Sequence, residues 1–264
     1  HENLRAGHDI DCLITHGSGI RAVMDYVGKA VGGAGEVIVG DCPLQDADWT
    51  RLVDLAGLDV IAADFRTRFP GIRVRIEDYR LGKAILKGRV MIRRVVEHDD
   101  GRSRELDLAE HSMLVPLTHA GVDFGVSRYP RNRMRRAHSS GRHLYLLASE
   151  IIEADVVINL PKMKSHMKAG ITCALKNFVG LNRHKDYLPH FRFGSPRRGG
   201  DEHPDGNWFW DLTWYFRHRD WDRDKGLLKL LFWALGAAGK TLMPVLGRRP
   251  AQSVEMGGGG WHGN

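Results

Sequence analysis

Two short apolar runs, each followed by a helical pattern, constrain the fold more than any other feature of this sequence. GEVIVGD (35–41) and DVVINL (155–160) have the length and composition of buried strands. Helical spacing follows in 46–58 and 169–181, and it precedes the first run in 20–31. Strands that alternate with helices predict an α/β domain with a mainly parallel sheet flanked by helices.

The rest of the sequence adds an antiparallel hairpin and a C-terminal extension to this prediction. Alternation in 72–80 predicts a strand, and 88–109 predicts two strands joined around Asp-Asp-Gly as a hairpin insert. HLYLLASEIIEA (143–154) predicts a helix. Gly, Pro, His and charged residues dominate after that. We therefore expect an α/β domain over 1–182 and a loop-rich and helical extension of the same domain over 183–264. The first residue, His1, and the glycine-rich end lead us to expect a fragment.

Charge and cysteine content narrow the function classes. The chain has 39 basic and 32 acidic residues, a formal charge of +7, which favours anionic partners such as phosphorylated small molecules. Its three cysteines, Cys12, Cys42 and Cys173, form no CxxC pair, so we expect a reducing, cytoplasmic location. Three thiolates also exclude an iron–sulfur cluster held by four cysteines within this chain.

A basic loop follows the second apolar run. Pro161 lacks the N–H that a strand ladder needs, so the strand must end there. In α/β sheets, ligands bind beyond the carboxyl ends of strands. Lys162, Lys164 and His166 would lie at such an end, beside the start of a helix whose free N–H groups attract anions. We expect an anion site here, with Asp41 joining from the end of the first run; a solvated basic loop is the alternative.

Lys176 fits that alternative least well, because it lies inside the apolar pattern ITCALKNFVGL. A partly desolvated lysine can act as a base, a nucleophile or a phosphate ligand. We therefore assign catalysis to His166 and Lys176, with a neutral His166 ring acting as acid and base or as a metal ligand. Thr172 and Asn177 are assigned hydrogen bonds to a bound cofactor.

A second polar cluster suggests a divalent cation as an alternative. Imidazole and carboxylate groups together can bind such an ion, and they recur after residue 183 without HxH or HExxH spacing. The alternative function is a divalent-metal-dependent hydrolase with these candidate ligands: His184, His190, Asp201 and His203.

Two further segments indicate which partners the chain could bind. Segment 128–143 has six arginines and no acidic residue, which suits phosphate and carboxylate; Tyr129 is its single aromatic, so nucleic acid is not predicted. Segment 226–249 is apolar but contains Lys229 and Lys240, each costly at the centre of a membrane-spanning helix. It predicts an amphipathic helix on an anionic membrane surface, or one that covers a core or a partner, as in a non-catalytic assembly module.

Segment 155–182 resembles the signature of the domain of unknown function 362 family: an apolar strand, Pro-Lys-x-Lys-x-His, Ala-Gly-x-Thr, Leu-Lys-Asn and Gly. The helix–strand beginning and the glycine-rich end are consistent with a resemblance over nearly the whole chain. The family brings no settled activity. Some relatives carry a ferredoxin-like cysteine module, which this chain lacks, so the resemblance implies no electron transfer.

A remoter similarity is to lactate-racemase-type proteins, which use a nickel-pincer nucleotide cofactor. Their His-x-x-Ala-Gly-x-Ser-x-x-x-Lys segment has the spacing of His166, Ala169, Gly170, Thr172 and Lys176. The resemblance implies an active-site role for His166 and cofactor contact for Lys176. A nucleotide-derived cofactor is therefore an expectation beside the divalent metal.

Overall fold

A computed structural model describes residues 14–45, 47–87, 90–96, 100–126, 131–166 and 170–202. These residues form two compact units. The first contains the described residues up to Arg104 together with Leu147–His184, and the second contains Glu105–Leu146 and the described residues from Lys185 onward. The predicted division into 1–182 and 183–264 stays a prediction.

The first unit begins with two strands and three helices. In chain order these are α1 (Gly17–Val31), β1 (Gly35–Asp41), α2 (Trp49–Ala56), α3 (Leu58–Arg68) and β2 (Ile72–Asp78). Strands β1 and β2 pair in parallel, from Gly35↔Ile72 to Asp41↔Asp78. Met24, Phe65 and Val74 are among the buried residues that join α1, α3 and β2 in one apolar core.

Local sequence signals account for these boundaries. His16 caps α1, because its Nδ1 accepts the Ser18 N–H at 3.2 Å. Asp48 caps α2, because its Oδ1 accepts the Arg51 N–H at 3.2 Å, a contribution of about 1 kcal/mol. Gly57 ends α2 with φ +62°, a conformation that glycine adopts without strain.

The remaining elements of the first unit are short. They are β3 (Gly82–Lys87), β4 (Val90–Val96), α6 (Ser149–Glu153), β9 (Lys164–His166), β10 (Gly170–Thr172) and α7 (Ala174–Val179). Strands β3 and β4 form one antiparallel pair, and β9 and β10 form another.

The second unit has its own elements and its own buried side chains, among them Phe124, Met134 and Phe191. Strand β5 (Ser103–Asp107) enters it and β8 (Arg142–Ala148) leaves it, in a three-stranded sheet with the order β5–β8–β7. The other elements are α4 (Val115–His119), β6 (Phe124–Gly125), α5 (Arg131–Ala137), β7 (His138–Ser139), a 3-10 turn at Lys185–Tyr187 and β11 (Phe191–Arg192).

The α/β class is confirmed, but the described strands do not form a mainly parallel sheet. The β1–β2 pair is parallel, whereas β3–β4, β6–β11, β7–β8 and β9–β10 are antiparallel. The predicted hairpin over 88–109 is also wrong in its pairing. Strand β4 pairs with β3, which precedes it, and β5 pairs with β8.

Two predicted elements near the basic loop differ from the structure. Segment 155–160 is not a strand, because no described strand pairs with it. Val156 within it is 75% exposed. Segment 143–154 is a strand up to Ala148 and helical only over Ser149–Glu153. Leu144, Leu146 and Ala148 are all buried, the period of two that a strand requires.

Candidate functional site

The β9–β10 ladder fixes the start of the candidate site in the first unit. Its register places His166 opposite Gly170 and Lys164 opposite Thr172. Residues two apart on a strand share a face, so Lys164 and His166 lie on one side of the ladder. Gly170 has φ +72°, and an added Cβ would meet no atom within 4 Å, so the backbone conformation rather than crowding favours glycine there.

Helix α7 brings Lys176 onto the His166 ring. The distance between Lys176 Nζ and His166 Nε2 is 2.5 Å, and both side chains are partly buried. An ammonium group can only donate, and a neutral imidazole has one accepting nitrogen. The contact is therefore a hydrogen bond from the Lys176 ammonium group to a ring nitrogen of His166.

Two asparagines link the segment before Pro161 to the same helix. Asn177 Nδ2 donates to Asn159 Oδ1 at 2.7 Å, and Asn159 Nδ2 donates to the Ala174 carbonyl at 2.9 Å. On the other side, the Thr15 hydroxyl donates to the Leu160 carbonyl at 2.6 Å. The chain entering the basic loop is thus held both by α7 and by the residues just before α1.

The structure brings together some of the predicted site residues. His166, Lys176 and Asn177 meet around α7, and Thr172 is buried at 6% exposure opposite Lys164. Lys162 is partly buried in the loop before β9. Asp41 ends β1, and its Oδ1 accepts the Cys42 N–H at 2.7 Å. The ligand roles assigned to Lys162 and Asp41 stay predictions.

Sequence reasoning assigned no contact to Asn159 or to Thr15. Asn159 carried a usable signal, since it is the polar residue in the otherwise apolar run VVINL. A buried or half-buried amide needs hydrogen-bond partners, so its presence there could have indicated a fixed contact. Thr15 carried no signal, because its partner is 145 positions away in the chain.

The predicted metal ligands are distributed over both units. His184 is buried in the first unit, whereas His190 and Asp201 belong to the second. Asp201 binds the Arg192 backbone N–H at 2.9 Å and the Arg192 Nε at 3.1 Å. His203 lies outside the described residues. Over residues that the structure describes, no group of three or more His, Cys, Asp and Glu side chains could hold a metal ion.

The predicted surface helix over 226–249 also lies outside the described residues. In the part of the chain that the structure does describe, none of the helices combines the length and the apolar character needed to cross a membrane.

Comparison with protein families identifies a match whose range includes the candidate site. Residues 108–232 match the family model described as Domain of unknown function (DUF362). The matched range contains β9, β10 and α7, and with them both members of the His166–Lys176 pair. The predicted resemblance to the DUF362 family is therefore confirmed.

One curated relative shares part of the sequence. The Thylakoid-associated protein sll1697 of Synechocystis sp. (strain ATCC 27184 / PCC 6803 / Kazusa) is 38% identical over 73 residues. The alignment covers 28% of this chain and 22% of that protein, so the chain spans about a fifth of the length of the relative it matches. No solved structure matches the chain.

Proposed function

We propose that the chain forms an enzyme-like domain that binds an anionic small molecule at the β9–β10–α7 segment, with His166 and Lys176 as its reactive pair. The observation that carries the proposal is the 2.5 Å contact between Lys176 Nζ and His166 Nε2. In a solvated basic loop nothing would hold the Lys176 ammonium group against the His166 ring. Here helix α7 and the β9–β10 ladder position the two side chains.

The pair suits acid–base chemistry because its proton can reside on either nitrogen without a change in net charge. A ligand oxygen that approaches Lys176 stabilises the ammonium form and leaves His166 as a base. The pair can thus accept or release one proton at His166 while a positive charge remains for the anion.

The loop lysines support the same ligand class. Lys162 and Lys164 precede His166 by four and two residues, and the chain as a whole carries a formal charge of +7. The spacing shared with lactate-racemase-type proteins supports a nucleotide-derived molecule as one such ligand. We expect a phosphorylated or nucleotide-like compound rather than a neutral one.

Isothermal titration of the purified protein with ADP and with pyrophosphate tests the proposal. We expect saturable binding that Lys176→Ala weakens by about tenfold or more, the equivalent of 1.4 kcal/mol. Lys29→Ala is the matched control, because it removes the same charge from the last turn of α1. Helix α1 is 15 residues long and begins at Gly17, close to Thr15. Lys29 lies roughly 18 Å from Gly17 along the helix axis.

His166→Ala completes the design. If both His166→Ala and Lys176→Ala bind the two probes as tightly as the unchanged protein, the proposed site is wrong. Native mass spectrometry of protein purified from its own host gives an independent check, because a retained cofactor would appear as added mass that the two variants lose.

A second candidate function is association with a membrane surface. Helix α7 and the strand before it expose apolar side chains beside the pair, with Ile171, Leu175 and Phe178 exposed by 56%, 85% and 47%. The name of the relative sll1697, a thylakoid-associated protein, favours the same interpretation. Flotation with phosphatidylglycerol vesicles tests it: Leu175→Asp should reduce vesicle binding, and a failure of the unchanged protein to float would exclude it.

A further inference from the structure

The second unit contains an open cleft of about 210 Å³. Three of the seven residues that line it are arginines, and one, Glu105, carries a carboxylate. The lining residues are Glu105, Arg133, Arg136, Ala137, Arg142, Leu144 and Tyr187. All of them belong to the second unit, whereas His166 and Lys176 belong to the first.

Two elements contribute the arginines that line the cleft. Arg133 and Arg136 are three residues apart on α5, a spacing that puts them on one face of a helix. Arg142 begins β8, and Leu144, two residues further along, shares its face of the strand. Met134, at 1% exposure, buries the opposite side of α5 and holds the helix in place.

The negative groups near the cleft are already engaged. The Asp186 carboxylate is fully buried and lies 3.4 Å from Arg133 Nη1. The Glu105 carboxylate accepts the Tyr187 hydroxyl at 3.2 Å. Asp107, on the same strand as Glu105, accepts two backbone N–H groups, those of His143 and Ala109, each at 2.8 Å.

Arg136 and Arg142 are consequently the available charges. Both are exposed, and among the described residues neither takes part in an ion pair within 4.0 Å. Backbone hydrogen bonds from His143 and Ala109 lower the pKa of Asp107, and the charge of Arg142 makes a smaller contribution in the same direction. By contrast Arg135, on the same helix, is held by Asp123 at 2.5 Å. The helix therefore carries one arginine that is neutralised locally and another, one residue later, that faces the cleft.

The size and chemistry of the cleft define the ligand. Pockets for drug-sized molecules usually measure about 300–1,000 Å³, so a cleft of about 210 Å³ suits a smaller group. Guanidinium groups bind phosphate oxygens through paired N–H donors. Ala137 and Leu144 offer a small apolar surface next to those donors, which fits the organic part of a phosphomonoester.

We propose that the juxtaposition of Arg133, Arg136 and Arg142 on one wall of this cleft makes it a second anion site, specific for a phosphate monoester group. The phosphate oxygens are bound by Arg136 and Arg142, while Arg133 stays anchored to Asp186 and adds its positive field. The group can come from a small soluble phosphomonoester or from a lipid headgroup.

Titration with phenyl phosphate, followed by phosphorus NMR, tests the proposal on the full chain. We expect saturable binding that the double variant Arg136→Gln, Arg142→Gln weakens by about tenfold or more. Arg135→Gln is the matched control: it makes the same charge change on the same helix and should alter the affinity less than about twofold. Arg136→Lys keeps the charge but loses the paired donors, and we expect an intermediate loss.

Two further experiments distinguish a lipid headgroup from a soluble phosphomonoester, and the cleft from the β9–β10–α7 site. If vesicles containing phosphatidic acid bind the protein and phenyl phosphate displaces them, a lipid headgroup is the source; if phenyl phosphate binds and the vesicles do not, a soluble phosphomonoester is. The double variant Arg136→Gln, Arg142→Gln should leave the ADP affinity of the β9–β10–α7 site unchanged. The proposal is overturned if neither probe binds saturably, or if Arg135→Gln weakens binding as much as the double variant.

Discussion

At the scale of single residues, the buried Arg183 holds loops of the first unit together. Arg183 is 2% exposed; its Nε donates to the Tyr79 carbonyl at 2.9 Å, and its other nitrogens reach Asp100 and the Ser103 hydroxyl. Burial raises the pKa of Asp100, but hydrogen bonds from Arg183 and Arg102 outweigh it and hold that pKa below its usual range. Arg183 thus links the end of β2 to the turn before β5.

We expect Arg183→Ala to be strongly destabilising. It leaves the buried Tyr79 carbonyl without this donor and removes one of the two arginines that bind Asp100, a loss of about 2–4 kcal/mol in the free energy of unfolding. Arg104→Ala is the control, since Arg104 is exposed and meets Glu153 at 3.4 Å, a type of ion pair that contributes less than about 1 kcal/mol. Urea denaturation measures both, and equal losses in the two variants would contradict this account.

The Lys176–His166 contact shows what a single residue could and could not predict. The sequence identifies Lys176 as a site residue, because a charged side chain inside an apolar helical pattern indicates a specific role. The sequence predicts His166 only as a member of the same site, because a sequence gives spacing but not which side chains meet. The structure supplies that contact through the short β9–β10 ladder, which turns His166 back towards α7.

At the scale of elements, the β9–β10 ladder is the part on which the candidate site depends. Gly170 is the residue opposite His166, and its φ of +72° is strained for any side chain. We expect Gly170→Ala to cost roughly 1–2 kcal/mol in stability and to lower ADP affinity by displacing His166 from Lys176. Thermal unfolding and ADP titration measure the two effects.

Gly19→Ala makes a matched control for this prediction. Gly19 lies in α1, where an added Cβ would meet no atom within 4 Å and φ is not positive. Alanine is the better helix former, so this variant should be neutral or slightly stabilising. If Gly170→Ala behaved in the same way, the ladder would not need its left-handed residue and would not position His166.

Elements with local signals were predicted well, and elements that depend on distant partners were not. Helix α1 and strand β1 follow from capping, periodicity and a closing glycine-aspartate pair, all within a few residues. Segment 155–160 has an equally apolar sequence, yet it forms no strand, because a strand also requires the edge of another strand. The helix predicted over 143–154 is wrong up to Ala148. The run HLYLL is too short to distinguish the period of a helix from that of a strand, and pairing with β5 and β7 favours the strand.

At the scale of the whole molecule, the two units differ in how they should respond to acid. In the second unit, burial lowers the pKa of His138 to about 4, although the hydrogen bond to the Tyr187 carbonyl acts to raise it. Burial also lowers the pKa of the neighbouring His143. In the first unit, the shifted acidic groups Asp25, Asp100 and Glu150 all have lowered pKa values.

These shifts place the acid sensitivity of the units in different pH ranges. A histidine with a lowered pKa binds its proton in the unfolded chain first, so stability is complete above about pH 6.5 and falls as the pH drops towards 4. The first unit's carboxylates lose their contribution only below their unfolded values, near pH 4. Between pH 6.5 and 4.5 the second unit should therefore weaken while the first keeps its stability.

Hydrogen exchange followed by mass spectrometry resolves this prediction because it reports on each unit separately. From pH 8 to pH 5, after correction for the intrinsic exchange rate, peptides from 105–126 and 131–146 should lose protection worth about 2 kcal/mol, the effect of a histidine pKa of about 4 against about 6.5. Peptides from 17–78 should change little. His138→Gln keeps a donor for the Tyr187 carbonyl but cannot titrate, so it should remove most of the pH dependence. If the variant kept the full dependence, or if both units lost protection together, the buried His138 would not be its origin.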